Sequence, residues 1–97
     1  MYAAVRRYSL KSGASVAALV GKVQSGFVPL IETAPGFVSY QVLETGSGEI
    51  ASITVFKDKA GADESTRKAA DWVKGNLADM VGPAQVTAGE IRFERKA

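Results

Sequence analysis

The 97-residue sequence contains no cysteine and no histidine. These two absences exclude disulfide bonds, thiolate nucleophiles, histidine general bases and zinc sites of the Cys/His type. A metal site would have to be built from carboxylates alone. The chain also lacks a strong charge of either sign: its net charge is +2, with acids and bases interspersed. Neither a nucleic acid nor an anionic membrane surface is therefore indicated as a partner.

Long apolar runs are absent as well. Residues 1–10 alternate as a strand does, with no signal-peptide core, no cleavage site and no segment of membrane-spanning length. We therefore expect a cytoplasmic protein. The length suits one domain, residues 1–97, which is enough for a single hydrophobic core and too short for two.

A β-hairpin is predicted at the centre of the chain. Residues 37–44 and 50–56 are rich in β-branched and aromatic side chains, and the Thr-Gly-Ser-Gly segment between them is typical of a turn. On the first strand the alternation predicts Val38, Tyr40 and Val42 on one side, and Phe37 and Leu43 on the other. Because neither side is clearly polar, we expect both faces of the hairpin to be covered.

The segment before the hairpin is predicted to be an amphipathic helix. It starts after Ser15 or Ser12, either of which can cap it, and its apolar residues recur at spacings of three and four. Pro29 removes a backbone donor, so we expect a kink or a restart near residues 25–26. The helix ends before Pro35, because a residue that precedes proline disfavours the helical conformation.

A second helix is predicted from residue 60 to about residue 80, with Asp58 as its N-cap. Its buried stripe is predicted to contain Ala69, Trp72, Val73, Asn76, Leu77 and Met80. With strands at 1–10 and 85–94, the order is β-α-β-β-α-β, an α+β ferredoxin-like fold whose helices cover one face of a four-stranded antiparallel sheet. The other face stays apolar, so we expect a second copy of the chain to cover it in an obligate homodimer.

Several short motifs carry a family resemblance that spans the whole chain. They are Gly36-Phe37 after Pro35, the aromatic Tyr40, the segment Ile53-Thr54-Val55-Phe56-Lys57-Asp58, the segment Ala70-Asp71-Trp72-Val73, and Pro29 in the first helix. In this order and spacing they resemble the antibiotic biosynthesis monooxygenase-like (ABM) group. The resemblance implies a ferredoxin-like protomer, a dimeric α+β barrel joined through the sheets, and a cavity between sheet and helices.

The same resemblance implies two candidate functions. Members of the group include cofactor-independent monooxygenases acting on phenolic or quinol substrates, haem-degrading enzymes, and proteins without an assigned role. Haem degradation needs a histidine to hold the iron, and this chain has none. We therefore expect a monooxygenase of a small phenolic or quinol-type molecule that needs no cofactor. The alternative is a non-catalytic dimer of the same fold that binds a hydrophobic metabolite or has a structural or stress-related role.

Five side chains are predicted to bind a substrate in the cavity: Trp72, Asn76, Tyr40, Arg6 and Tyr8. Trp72 could stack on a planar ligand, although a tryptophan at helical spacing more often fills a core. Asn76 could orient a ligand carbonyl, bond a strand backbone, or face water at the edge. The two phenols could hydrogen-bond a quinol or an oxyanion, or line the barrel rim.

Arg6 allows two interpretations. It could hold an anionic substrate, or it could pair across the dimer with a carboxylate such as Glu90 or Glu94, and the ion pair is favoured. Ser52 and Thr54 have no histidine to activate them, so they are interpreted as structural.

RNA recognition is a further interpretation, because the RNA recognition module shares this element order. That module displays several stacking aromatic side chains on its third strand, whereas residues 50–57 contain a single aromatic residue, Phe56. Dimerisation through the sheet would also bury the face that RNA needs. We therefore expect no nucleic acid partner.

Overall fold

The computed structural model describes residues 1–97 and contains one antiparallel sheet with helices on one face. The strands are β1 (Tyr2–Ser9), β2 (Phe37–Glu44), β3 (Glu49–Phe56) and β4 (Gln85–Glu90), and the helices are α1 (Val16–Lys22), α2 (Val28–Ile31) and α3 (Lys59–Asn76). The order across the sheet is β2-β3-β1-β4, and every neighbouring pair is antiparallel. The predicted ferredoxin-like α+β arrangement is confirmed. None of the helices has the length and hydropathy that crossing a membrane requires.

The first helical region is interrupted, as Pro29 predicted. A π-helical segment, Val23–Phe27, joins α1 to α2, and Pro29 lies in the first turn of α2, where its missing N–H costs no intrahelical bond. Ser15 caps α1 by accepting a hydrogen bond from the Ala18 N–H at 3.2 Å. The π turn keeps Val23 and Phe27 on the buried side of the region.

Two elements are predicted to extend further than they do, to about residue 80 and to residue 94. Helix α3 ends at Asn76, because Leu77 has a φ of −122° and starts a turn that carries Val81 into a bridge with Leu10. Strand β4 ends at Glu90, which pairs with Tyr2 at the very start of β1. Beyond it, the N–H of Ile91 donates to the carbonyl of Met1 at 2.9 Å, where the chain itself begins.

The side-chain alternation predicted for β2 is wrong at its start. A bulge follows Phe37, so Phe37 pairs with Phe56 while Tyr40 pairs with Thr54. The extra residue brings Phe37, Tyr40 and Val42 to the same face of the sheet, where all three pack against the core. Alternation alone cannot predict this, because a bulge shifts the pattern by one residue.

The two faces of the sheet differ. On the face that the helices cover, β1 presents Arg6 and Tyr8, and β3 presents Ser52 and Thr54, all of them buried. The other face carries apolar side chains that no helix covers, among them Val5, Leu43, Ile53 and Val55. An uncovered apolar face is what the sequence predicted.

Candidate functional site

A cavity lies between the covered face of the sheet and the helices, with a volume of about 30 Å³. Its wall is apolar apart from Arg6, Ser52 and the hydroxyl groups of Tyr8 and Tyr40. A volume of this size holds about two water molecules. An aromatic ligand would therefore reach the polar groups only if side chains of the wall moved, or from an adjoining groove.

Arg6 is buried at the cavity wall with no acid to compensate its charge. Its side chain is 1% exposed. One terminal nitrogen donates to the hydroxyl of Thr54 at 2.7 Å and the other to the hydroxyl of Thr66 at 3.3 Å. The salt bridges of the chain all join other groups. Because a buried cation is normally paired with an anion, this charge is an unusual feature of the interior.

Two polar atoms near this charge lack a hydrogen-bond partner within the protein. They are Nε of Arg6 and Oγ of Ser52, both buried. The two residues face each other across the β1–β3 register and both line the cavity. Most buried polar groups are hydrogen-bonded, and the exceptions often mark a functional site. Both atoms can donate a hydrogen, so the cavity wall is suited to a ligand with an acceptor oxygen.

The phenols of Tyr8 and Tyr40 complete the polar part of the wall. Burial raises the pKa of both hydroxyls above the ordinary value of 10.0, while the positive charge of Arg6 acts in the opposite direction. Both side chains are therefore protonated at neutral pH. Each can donate a hydrogen bond to an oxyanion.

Aromatic rings form the rest of the wall beneath the π-helical segment. The ring of Phe27 lies 5.6 Å from that of Tyr40 and 5.7 Å from that of Trp72, measured between centroids. Trp72 packs directly over Gly26, where an added Cβ would come within 2.8 Å of the indole Cζ2. The π-helical segment therefore makes room for the indole by placing a glycine beneath it.

Two grooves adjoin the cavity. The first lies between α3 and β4, has a volume of about 440 Å³, and shares Arg6, Tyr8, Val73 and Val81 with the cavity. The second lies beside β2 and the first helical region, has a volume of about 480 Å³, and shares Val23, Tyr40 and Val42. Arg6 and Tyr8 therefore lie at the boundary between the cavity and the first groove.

No family model and no curated protein matches the chain. Solved structures do. A protein of unknown function from Nitrosomonas europaea, NE2512, is 23% identical, with 99% of this chain and 93% of that one covered and a TM-score of 0.79. A monooxygenase from the gene ActVA-Orf6 of Streptomyces coelicolor, in complex with nanaomycin D, is 17% identical over 99% and 91% of the chains, with a TM-score of 0.77. A mutant of MhuD with two manganese protoporphyrin IX molecules per active site is 15% identical over 100% of both, with a TM-score of 0.74.

The chain has the ABM fold. At these identities the likeness establishes the fold, so the resemblance read from the motifs is confirmed at that level. The neighbours differ in what they bind. The function of this ABM-fold chain therefore has to be argued from its own site.

Four of the five predicted substrate-binding residues of this ABM-fold chain line the cavity together: Arg6, Tyr8, Tyr40 and Trp72. Asn76 does not, and its predicted place in the buried stripe is wrong. Its side chain is exposed at the last residue of α3 and donates to the carbonyl of Trp72 at 2.9 Å. The apolar wall offers an amide no partner, whereas the helix end offers a carbonyl and water.

The interpretation of Arg6 as an ion-pair partner across the dimer is not supported. Arg6 points towards the helices, away from the uncovered sheet face. Glu90 instead contacts the N-terminal ammonium group of its own chain at 3.2 Å, and Glu94 lies 3.8 Å from Lys96. The alternative interpretation, an arginine available to an anionic ligand, fits its position.

Sequence reasoning missed the hydroxyl groups that hold Arg6. The sequence indicates only a structural role for Thr54 and gives no sign of the contact that Thr66 of α3 makes with Arg6. The signal was present in the alternation of β1 and β3, which places Arg6 and Thr54 on the same buried face. No three of the Asp and Glu side chains lie close enough together to hold a metal ion.

Proposed function

We propose that this protein is a monooxygenase that acts, without a cofactor, on a small phenolic or quinol-type molecule bound as its anion. The observation that carries the proposal is the buried charge of Arg6, which has no carboxylate partner and shares an apolar wall with two protonated phenols. The positive charge of Arg6 and hydrogen bonds from the two phenols would favour an ionised oxygen of a ligand, against the opposing effect of burial. The fold shared with a monooxygenase that holds nanaomycin D adds support.

The chemistry needs no metal, because an electron-rich anion can itself reduce dioxygen. In an anthrone-type substrate, the CH₂ carbon loses a proton to solvent, and the resulting anion forms a C–O bond with dioxygen. The hydroperoxide then loses water to give a carbonyl group. One oxygen atom ends in the product and the other in water, and the substrate supplies all four electrons. Arg6, Tyr8 and Tyr40 would stabilise the anion, and the apolar wall would keep it from bulk water.

The test is oxygen uptake with a panel of quinols and anthrones. The parent protein should consume oxygen with at least one of them, and Arg6→Gln should reduce turnover by at least about 100-fold, as the loss of an oxyanion donor does elsewhere. Arg92→Gln is the matched control, because it removes the same charge from the exposed C-terminal segment. Absence of turnover with the whole panel, or full activity in Arg6→Gln, would contradict the proposal.

A second candidate is a non-catalytic protein that binds a hydrophobic metabolite. The observation in its favour is the small cavity of about 30 Å³, whose wall carries few polar groups and no standard general base. Calorimetry separates the two candidates, since ligands that bind without any oxygen uptake would support this one. Porphyrin binding of the MhuD kind is not proposed, because the chain has no histidine for the iron and the cavity is far smaller than a porphyrin.

We also propose that the protein is a homodimer joined through the sheet face that the helices leave uncovered. That face carries Val5, Leu43, Ile53 and Val55. A contiguous apolar surface is seldom left in water on a monomer. A self-complementary contact about a two-fold axis would bury it.

A further inference from the structure

The groove between α3 and β4 is lined by three cations and by no acid. The cations are Arg6, Lys11 and Lys74, and we call this the cationic groove. The groove beside β2 has no charged residue in its lining, so the concentration of charge is a property of this side of the cavity alone. Like charges that share a groove repel each other, which makes an anion a favourable occupant.

Local structure explains these cations only in part. Lys74 lies in the last turn of α3, where a positive charge suits the helix dipole, and Lys11 donates to the carbonyl of Ala78 at 2.7 Å. Neither lysine takes part in a salt bridge. Neither role explains why Arg6, 1% exposed and with its Nε unpartnered, borders the same groove. A ligand would explain all three.

The shape and the remaining wall indicate an organic anion. At about 440 Å³ the groove is within the range of small-molecule sites, which runs from about 300 to 1,000 Å³. Its apolar lining includes Val73, Val81, Pro83 and Val86, and Val86 is 48% exposed. Inorganic phosphate would leave this apolar surface in water, whereas an aromatic acid would cover it.

We propose that the cationic groove binds the carboxylate of an aromatic acid, which deepens the proposed function by naming its substrate as a hydroxylated aromatic carboxylic acid. The carboxylate contacts Lys74 and Lys11 at the outer part of the groove. The ring lies on Val73, Val81 and Val86, and the phenolic oxygen points to Arg6 and Tyr8, which the groove shares with the cavity. The two negative charges of such a substrate meet three positive charges.

Calorimetric titration with a redox-inert pair, 2-naphthoate and the neutral 2-naphthamide, tests the groove without any turnover. The parent protein should bind 2-naphthoate at least tenfold more tightly than 2-naphthamide, and added salt should reduce the difference. Lys74→Gln should lose most of this preference while its binding of 2-naphthamide stays unchanged, and Lys74→Arg should restore it. Lys68→Gln is the matched control on the same helix, because Lys68 lies outside the groove.

Equal affinity for the two ligands, or an undiminished preference in Lys74→Gln, would overturn the proposal. Competition by inorganic phosphate as strong as that by 2-naphthoate would overturn it too, because it would reduce the groove to a general anion site. A thermal unfolding midpoint equal to that of the parent shows that each variant is folded.

The titration, together with oxygen uptake, separates this proposal from the proposed function. A preference for 2-naphthoate without oxygen uptake on any hydroxylated acid would support anion binding in the cationic groove and contradict the monooxygenase proposal. Oxygen uptake at equal rates with an acid and its amide would support the monooxygenase proposal and contradict anion binding in the groove.

Discussion

Arg6 occupies a position on a central strand that would ordinarily hold an apolar side chain. Its neighbours on the covered face of β1 are Ala4 and Tyr8, both buried. Keeping a guanidinium group there costs free energy, because two threonine hydroxyl groups replace only part of its hydration. Replacing buried charged groups by apolar side chains of similar volume often increases stability by about 1–4 kcal/mol.

At the residue scale, we predict that Arg6→Met combined with Thr54→Val is more stable than the parent by about 1–4 kcal/mol. Arg6→Met alone should be about 1–3 kcal/mol less stable than this double variant, because the buried hydroxyl of Thr54 loses its partner. Urea unfolding at neutral pH measures both differences. A double variant less stable than the parent would show that the charge contributes to stability rather than being retained at a cost.

The phenols of the cavity wall make the stability of the protein fall at high pH. Burial raises the pKa of Tyr40 above 10.0, although the charge of Arg6 opposes the shift, so the unfolded chain releases this proton at a lower pH than the folded protein does. The contribution is therefore complete below about pH 10 and is lost as the pH rises above it. In Tyr40→Phe the free energy of unfolding should fall less steeply above about pH 10 than in the parent. Equal slopes in urea unfolding series would contradict this prediction.

At the scale of elements, the π-helical segment and α3 are matched to each other. Gly26 lies under Trp72, whereas Gly21, in α1, has nothing within 4 Å of an added Cβ. Alanine gains about 1 kcal/mol over glycine in a helix, so the two sites differ in packing rather than in backbone preference. The contact between the π-helical segment and α3 fixes one side of the cavity wall.

We predict that Gly26→Ala lowers the free energy of unfolding by about 1–3 kcal/mol, because the new Cβ overlaps the indole. Gly21→Ala, the matched control, should raise it by up to about 1 kcal/mol. Combining Gly26→Ala with Trp72→Leu should remove most of the cost of the alanine. The double-mutant cycle measures this coupling, and additive effects would show that there is no steric clash between the alanine and the indole.

The elements themselves could largely be predicted from the sequence, because local patterns encode them. Ser15 and Asp58 cap their helices, and Pro29 marks the interruption, each through a hydrogen bond or a missing donor close by in the chain. The ends of α3 and β4 could not be predicted from the sequence, because they depend on where a distant partner segment begins or ends. The bulge after Phe37 was likewise hidden, since the alternating pattern fits either register at that point.

The site was predictable only in part, for the same reason. Alternation along β1 correctly placed Arg6 and Tyr8 on one side. Alternation does not predict which charged groups the other elements place near Arg6. That Arg6 also meets Thr66 of α3, and no acid, follows from the way α3 crosses the sheet, which no local pattern contains.

At the scale of the whole molecule, the proposed dimer depends on the uncovered sheet face. Ile53→Lys places a charge at its centre and should convert the protein into a monomer. Leu30→Lys, on an exposed residue of α2, is the control and should leave the mass unchanged. Sedimentation at micromolar concentration measures both. A stable, well-folded parent monomer would contradict the dimer.

The cavity lies on the opposite side of the sheet from this face. In such a dimer, two layers of sheet about 10 Å apart would separate the two cavities. Each would then work alone, without cooperativity between them. A hybrid pair that joins one parent chain to one Arg6→Gln chain should keep half the turnover of the parent pair, with an unchanged KM and a Hill coefficient of about one.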